Sequence, residues 1–160
     1  MERHASDAFR FYSGDLCVGH RSAMTDPKRS ALMAKIKGKN TRPEIAVRRE
    51  LHALGARFRL HRRDLPGRPD IVMPARKLAV FVHGCFWHRH ENCRMASDPK
   101  TRQEFWAAKF NDNIARDKRN LSDLESLGWE VRIIWECQTR QRDELSAIVR
   151  GIFPCSNTSD

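Results

Sequence analysis

The chain has 160 residues, enough for one domain with a substantial core and too few for two domains of ordinary size. Its 30 lysines and arginines against 20 acidic residues give a formal charge of +10, which predicts a phosphate-rich partner, with a merely solvated basic surface as the alternative. No apolar stretch is long enough to cross a bilayer, and five cysteines, an odd number, favour a soluble cytoplasmic protein over a secreted disulfide framework.

The first part of the chain has neither a helical nor a strand period. Residues 1–24 mix glycine with scattered charge and are expected to form a flexible extension. The sequence KRSALMAKIKGKN at 28–40 predicts a short basic helix that carries Met33 and is a candidate DNA-contacting arm. We assign 25–150 to one domain and 151–160 to a C-terminal tail.

Helical and strand patterns alternate in the rest of the chain. Thr41-Arg-Pro-Glu44 is a capping-box pattern that predicts a helix from 42 to 54. Further along, four strands are predicted at 57–60, 71–73, 78–82 and in the buried run EVRIIWE (130–136), and a second helix at 102–127. The second and third strands should pair as a hairpin. The order of elements predicts an α/β fold in which helices flank a central mixed sheet.

The densest group of metal-binding residue types follows the third strand, in FVHGCFWHRHENC (81–93). Cys85, His90 and Cys93, joined by Cys137 after the last strand, supply three thiolates and one imidazole. A structural zinc ion prefers this set of ligands in a closed tetrahedral site. Buried free cysteines without a metal are the alternative. The pattern favours zinc, which would tie the loop to the end of a distant strand.

A second constellation centres on Asp70, in the motif PGRPD. Because the third strand ends at His83, the hairpin would bring Asp70 close to that corner. A carboxylate with backbone carbonyls and waters suits Mg²⁺, whereas a plain turn residue is the alternative. His83 and His88 are candidate general bases, because an imidazole titrates near neutrality. Glu44 either only closes the capping box or also reaches the metal's waters, and the pattern favours the cap.

Side chains near these histidines are candidate DNA contacts. Phe86 and Trp87 would stack on bases or wedge between base pairs, or else anchor the loop in the core, and the sequence does not separate these readings. Lys109, Asn113 and Asp117 fall on one face of the second helix, which would suit a groove. A solvated helix face is the alternative that spacing alone favours.

The motifs PGRPD, FVHGCFWHRH, TRQEFW and LGWEVRIIWEC occur in this order, and over residues 25–140 the chain resembles the very short patch repair (Vsr) DNA mismatch endonucleases. The resemblance implies a restriction-endonuclease-like fold. It also implies a Mg²⁺-dependent nick in double-stranded DNA, 5′ of the thymine in a T:G mismatch that arises when 5-methylcytosine deaminates. We expect a monomer with no membrane partner, and other mismatch-repair proteins as further partners.

The resemblance also implies roles for individual residues. Asp70 would hold Mg²⁺ with the backbone carbonyl of Val82. His88 would act as general base, while His83 and Glu44 would support the metal's waters and the phosphate. Structural zinc would be held by Cys85, His90, Cys93 and Cys137. The DNA contacts would be Met33, Phe86 and Trp87 as wedges near the mismatch, and Lys109 and Asn113 at the mismatched bases.

Two other functions remain open on the sequence. A zinc-stabilised DNA-binding protein without catalysis would explain the charge and the cysteines, but it leaves Asp70 and His88 without a role. A restriction-like nuclease that cuts matched DNA would use the same residues. The strand at 78–82 lacks the acidic-x-lysine signature of ordinary members of that nuclease fold, so histidine chemistry would have to replace the lysine.

Overall fold

The computed structural model describes residues 38–153, so the predicted extension, Met33 and nearly all of the predicted basic helix lie outside the described residues. The described part contains helices α1 (Arg42–Ala53), α2 (Gln103–Ser126) and α3 (Arg142–Ile152), and strands β1 (Arg59–Leu60), β2 (Ile71–Met73), β3 (Leu78–His83) and β4 (Glu130–Trp135). The predicted helices and strands are confirmed to within two residues at each end, whereas α3 was not predicted. Over this range no helix combines the length and the apolar character needed to cross a membrane.

The four strands form one mixed sheet in the order β1-β2-β3-β4. β2 pairs antiparallel with both β1 and β3, so the predicted hairpin is confirmed. β3 and β4 are parallel, with His83 opposite Trp135 at their ends. Because parallel strands end on the same side, the segments that follow β3 and β4 meet at one edge of the sheet.

Helices cover both faces of this sheet. On one face α1 and α3 bury Val47, Leu51 and Val149 against side chains of β2, β3 and β4. On the other face α2 packs Leu124 against a cluster that includes Phe81 of β3. The alternation of side chains along β3 therefore supplies both layers of the core and confirms the predicted α/β arrangement of a sheet between helices.

The prediction that β4 is a buried strand was wrong for most of its length. Of its six residues only Ile134 is buried, and Glu130 and Arg132 are exposed. The physical reason is position, because β4 lies at the edge of the sheet and pairs only with β3. An apolar run of this length does not by itself distinguish an edge strand from a central one.

Candidate active site

Three groups of potential ligands lie around the end of β3, and within each group one donor atom from every residue lies within 4.8 Å of the others. We call them the carboxylate site (Glu44, His61 and Asp70), the histidine site (His83, His88 and Asp117) and the thiolate site (Cys85, His90, Cys93 and Cys137). Asp70 and His88, the expected metal carboxylate and the expected general base, belong to different groups. His61 was missed entirely, and Asp117 was noted only for its helix face.

In the carboxylate site, Asp70 precedes β2 and reaches across the hairpin to β3. Its Oδ2 accepts a hydrogen bond from the backbone N–H of Val82 at 2.8 Å, and its Oδ1 lies 3.8 Å from Nδ1 of His61. Burial raises the pKa of Asp70, and the N–H of Val82 offsets this only in part. A carboxylate that is costly to ionise in this position would gain from a neighbouring cation.

Glu44 lies behind the carboxylate site and is buried in the first turn of α1, where both of its carboxylate oxygens accept hydrogen bonds. Its Oε1 accepts from the N–H and the hydroxyl of Thr41 at 3.3 and 2.9 Å, so the predicted capping box forms. Its Oε2 accepts from the N–H of Asn40 at 3.0 Å and from the guanidinium of Arg48 at 2.6 Å. The same oxygen lies 3.7 Å from Nε2 of His61. Glu44 therefore closes the cap and also borders the carboxylate site.

A cleft of about 240 Å³ opens beside Asp70. It is lined by Asp70 and His61, by the cationic side chains of Lys39, Arg63 and Arg68, and by Gly38 and Gly67. Glu44 is not among these lining residues. The cleft thus combines one carboxylate and one imidazole with a basic rim, a combination that suits a hydrated cation and a phosphate group.

Gly67 brings the wall of this cleft into contact with α2. Its φ is +68°, which a residue with a side chain rarely adopts, and a Cβ there would lie 2.9 Å from the side chain of Asn120. The loop that carries Arg68 and Asp70 therefore rests directly on α2.

The histidine site joins the end of β3 to the middle of α2. The buried ring of His83 stacks on that of His88, with centroids 3.8 Å apart and planes at 12°, and Nδ1 of His88 lies 2.5 Å from Oδ2 of Asp117. Burial and the adjacent charge of His88 lower the pKa of His83 to about 4. Burial alone would raise the pKa of Asp117, but its hydrogen bond with His88 and the positive charges around it together outweigh burial and hold the pKa below its usual value. Asp117 thus orients the His88 ring.

Phe86 and Trp87 pack on aromatic side chains of α2. Phe86 meets Trp106 and Phe110 edge-on, with centroids 5.4 and 5.2 Å apart, and Trp87 lies 5.9 Å from Trp106. Both Phe86 and Trp87 are half-buried rather than enclosed in the core. They are anchored through one side and keep apolar surface on the other, which is compatible with a contact to bases.

The predicted DNA contacts on α2 differ in their surroundings. Lys109 is exposed, whereas Asn113 donates from Nδ2 to the backbone carbonyl of Trp87 at 3.0 Å. One turn later Asp117 binds His88, so two side chains of one helix face hold two consecutive loop residues. The face recognised from spacing therefore clamps the loop after β3 to α2.

The thiolate site closes the edge where β3 and β4 end. The Sγ atoms of Cys137 and Cys85 lie 3.3 and 3.7 Å from Nδ1 of His90, and the N–H of Cys137 donates to Sγ of Cys85 at 3.4 Å. The His90 ring stacks on Trp135, with centroids 4.1 Å apart. Burial raises the pKa of Cys85 to about 12, so only a bound cation would keep that group ionised near neutrality. With Cys93, the donors match a tetrahedral metal site in type and spacing.

Proteins of one family resemble this chain over most of its length. The family described as "DNA mismatch endonuclease Vsr" matches residues 22–94, which contain most of the three sites but neither α2 nor Cys137. The type II nicking enzyme V.XorIIP of Xanthomonas oryzae is 49% identical over 130 residues, 81% of this chain and 95% of that protein. The type II nicking enzyme V.NmeAIP of Neisseria meningitidis is 40% identical over 132 residues, 80% and 94% of the two chains. The DNA mismatch endonuclease Vsr of Escherichia coli is 42% identical over 118 residues, 74% and 75% of the two chains.

Proposed function

This chain belongs to the Vsr family of DNA endonucleases, and from that premise we propose that it nicks double-stranded DNA 5′ of the thymine in a T:G mismatch, by Mg²⁺-dependent hydrolysis. Mismatches of this kind follow the deamination of 5-methylcytosine. The observation that supports the proposal is that the carboxylate site and the histidine site lie at the same end of β3. Asp70 is hydrogen-bonded to Val82, and His83 of the histidine site is the next residue in the chain.

The donors at Asp70 fit Mg²⁺. Asp70 lines an open cleft, and its Oδ2 accepts a hydrogen bond from the backbone of Val82, whose carbonyl is the second proposed ligand. A hard cation with few protein ligands and several waters needs this kind of open position. When bound, Mg²⁺ would neutralise charge on the phosphate and make a coordinated water more acidic.

His88 is the proposed general base. Because Nδ1 faces Asp117, the proton of a neutral ring lies on that nitrogen and Nε2 keeps its lone pair to accept a proton. The carboxylate of Asp117 would stabilise the imidazolium that forms. His83 is neutral at pH 7, and its ring stacks on that of His88 and helps to hold it in place. This arrangement would replace the lysine that the strand lacks.

The surface beside these sites suits DNA. The rim of Lys39, Arg63 and Arg68 would neutralise phosphates near Asp70. The half-buried Phe86 and Trp87 support the proposal that they wedge into the duplex. The remaining proposed contacts are Lys109, Asn113 and, outside the described residues, Met33. Zinc in the thiolate site would hold the loop between these surfaces in place.

A nicking assay on matched pairs of duplexes tests the proposal. The two duplexes differ in one base pair, T:G against T:A, and each strand carries its own label. We expect a single cut, in the thymine strand of the T:G duplex and only with Mg²⁺ present. Equal cutting of both duplexes would identify a nuclease of matched DNA. Binding without any cutting in Mg²⁺ would identify a zinc-stabilised DNA-binding protein.

A further inference from the structure

His61 is the member of the carboxylate site to which the proposed function gives no task. It follows β1, and its backbone N–H donates to the carbonyl of Asp70 at 3.4 Å. Its φ is +48°, a left-handed conformation that costs a residue with a side chain about 1 kcal/mol. The backbone therefore holds this imidazole beside Asp70 in a conformation that local preferences disfavour.

The imidazole lies between two carboxylates. Nδ1 faces Oδ1 of Asp70 at 3.8 Å, and Nε2 faces Oε2 of Glu44 at 3.7 Å. His61 and Asp70 both line the cleft, whereas Glu44 lies behind them. A histidine that binds a metal through one ring nitrogen usually directs the other N–H to a carboxylate, and Glu44 occupies that position.

We propose that His61 is a nitrogen ligand of the cation held at Asp70, with Nδ1 on the ion and the Nε2 proton directed to Glu44, and that this site therefore prefers Mn²⁺ to Mg²⁺. The inference deepens the proposed function and rests on it, because it takes Asp70 as a metal-holding carboxylate. Two donors at about 2.1 Å from one ion lie roughly 3.0–3.5 Å apart, so the present separation of 3.8 Å has to shorten by about 0.3–0.8 Å.

The chemistry of the donors sets the preference. Mg²⁺ binds oxygen ligands and keeps its waters, whereas an imidazole suits first-row transition ions, and Mn²⁺ accepts both donor types. Arg48 already neutralises Glu44 through its hydrogen bond, so Asp70 is the carboxylate left to balance the ion's charge. A neutral nitrogen donor beside a single carboxylate therefore favours Mn²⁺ over Mg²⁺.

Arg48 is the neighbour that has to adjust. Its NH2 group lies 3.1 Å from Nε2 of His61, so in this arrangement Nε2 accepts a hydrogen bond and the ring proton is on Nδ1. Binding of the ion at Nδ1 moves that proton to Nε2, where it faces Glu44, so Arg48 gives up its hydrogen bond to His61 and keeps the one to Glu44. The ring changes tautomer without a change in net charge.

The test measures Mn²⁺ binding to the full, zinc-loaded chain without DNA, from the electron paramagnetic resonance signal of free Mn²⁺ and its displacement by Mg²⁺. Pulsed experiments on the same samples detect nitrogen bound to the ion. We expect Mn²⁺ to bind at least about tenfold more tightly than Mg²⁺, with a ¹⁴N coupling. His61→Gln keeps an oxygen donor, so it should lose the coupling and weaken Mn²⁺ about tenfold while changing Mg²⁺ much less.

Two control variants separate the outcomes. His52→Gln removes an exposed imidazole of α1 that packs on Phe58, and it should leave the affinities for Mn²⁺ and Mg²⁺ unchanged. Asp70→Asn should abolish this Mn²⁺ binding, and binding that survives it would overturn the proposed metal position itself. Asp70-dependent binding without a nitrogen coupling in the wild type, or with the coupling retained in His61→Gln, would overturn the role of His61 alone. Because His61 is the imidazole of the carboxylate site, a wild-type coupling that is lost with Asp70→Asn assigns the nitrogen to His61 even if His61→Gln is unstable.

Discussion

The thiolate site and the carboxylate site lie at the same end of the sheet, but they differ in how they are enclosed. In the thiolate site four potential protein donors lie within 4.8 Å of one another, enough for a complete tetrahedral set, and Cys85 is fully buried. In the carboxylate site two side chains face a cleft of about 240 Å³ with a basic rim. Metal sites with a complete set of protein ligands stabilise a fold, whereas sites with open positions leave room for a substrate. If the proposed roles are right, the difference teaches that one chain separates structural support from chemistry within a few residues of β3.

The largest expected effect on this comparison comes from removing the negative charge of Asp70 in the carboxylate site. Asp70→Asn should lower the single-turnover nicking rate of a T:G duplex by about a thousandfold or more, because several kcal/mol of metal-derived stabilisation are lost. Thermal stability should stay the same or rise, since burial already disfavours the charged form of Asp70. DNA affinity, measured without divalent cations, should change little. A variant that nicks normally would remove Asp70 from the chemistry.

Cys137→Ser tests the other side of the contrast. Loss of one thiolate should release zinc and cost about 3 kcal/mol of unfolding free energy, roughly a 10 °C fall in melting temperature. Cys155→Ser, at a cysteine that is not one of the four proposed zinc ligands, is the matched control and should retain both zinc and stability. Metal content by mass spectrometry and calorimetric unfolding provide the readout. If Cys137→Ser melts like the control, the thiolate site does not stabilise the fold.

The pH dependence of stability sharpens the contrast at His83, which lies between the two sites in the chain. Its pKa falls from 6.5 to about 4 on folding, so between these values the unfolded chain binds more protons. Stability is therefore lost as the pH falls, by about 1 kcal/mol between pH 7 and 5.5. His83→Gln should remove that part of the slope. Urea unfolding of both proteins at the two pH values, without Mg²⁺, measures it, and equal slopes would contradict the assignment.

The smallest expected effect concerns the rim of the cleft. Arg63→Gln and Arg68→Gln should each weaken DNA binding about threefold and reduce the slope of log K against log salt by about one, if each neutralises one phosphate. Arg132→Gln is the control, since Arg132 is exposed on β4 and paired with Glu130. Fluorescence anisotropy over a salt series measures these slopes. Unchanged slopes in both rim variants would place the DNA elsewhere.

Local signals explain what could be predicted from the sequence. The capping box at Thr41 and Glu44 fixes the start of α1, and glycine after the apolar pattern fixes the end of α2. The four thiolate-site donors were recognisable because three of them lie within nine residues of one another. Helix α3 was missed although the sequence carries its signal, an apolar spacing of three, four and seven residues at Leu145, Ile148, Val149 and Ile152.

What could not be predicted depends on how distant segments lie against each other. Asp117 reaches His88 only because α2 crosses the end of β3 at that turn. His61 joins Asp70 and Glu44 because the loop after β1 folds back between the hairpin and α1. In the sequence each is an ordinary polar residue in a basic stretch. Their partners are set by tertiary packing, which no spacing rule contains.

The lack of a side chain at Gly67 bears on how both proposed catalytic sites are held in place. The absence of a side chain lets the loop that bears Asp70 pack directly on α2. Because α2 also carries Asp117, one helix helps to fix the positions of both carboxylates. A single extra methyl group there would clash with Asn120 and strain the loop that carries Asp70, while leaving every reactive group chemically unchanged. Under the proposed function, nicking therefore depends on a position that takes part in no bond-making, and a genetic screen for inactive yet folded variants should recover substitutions of Gly67.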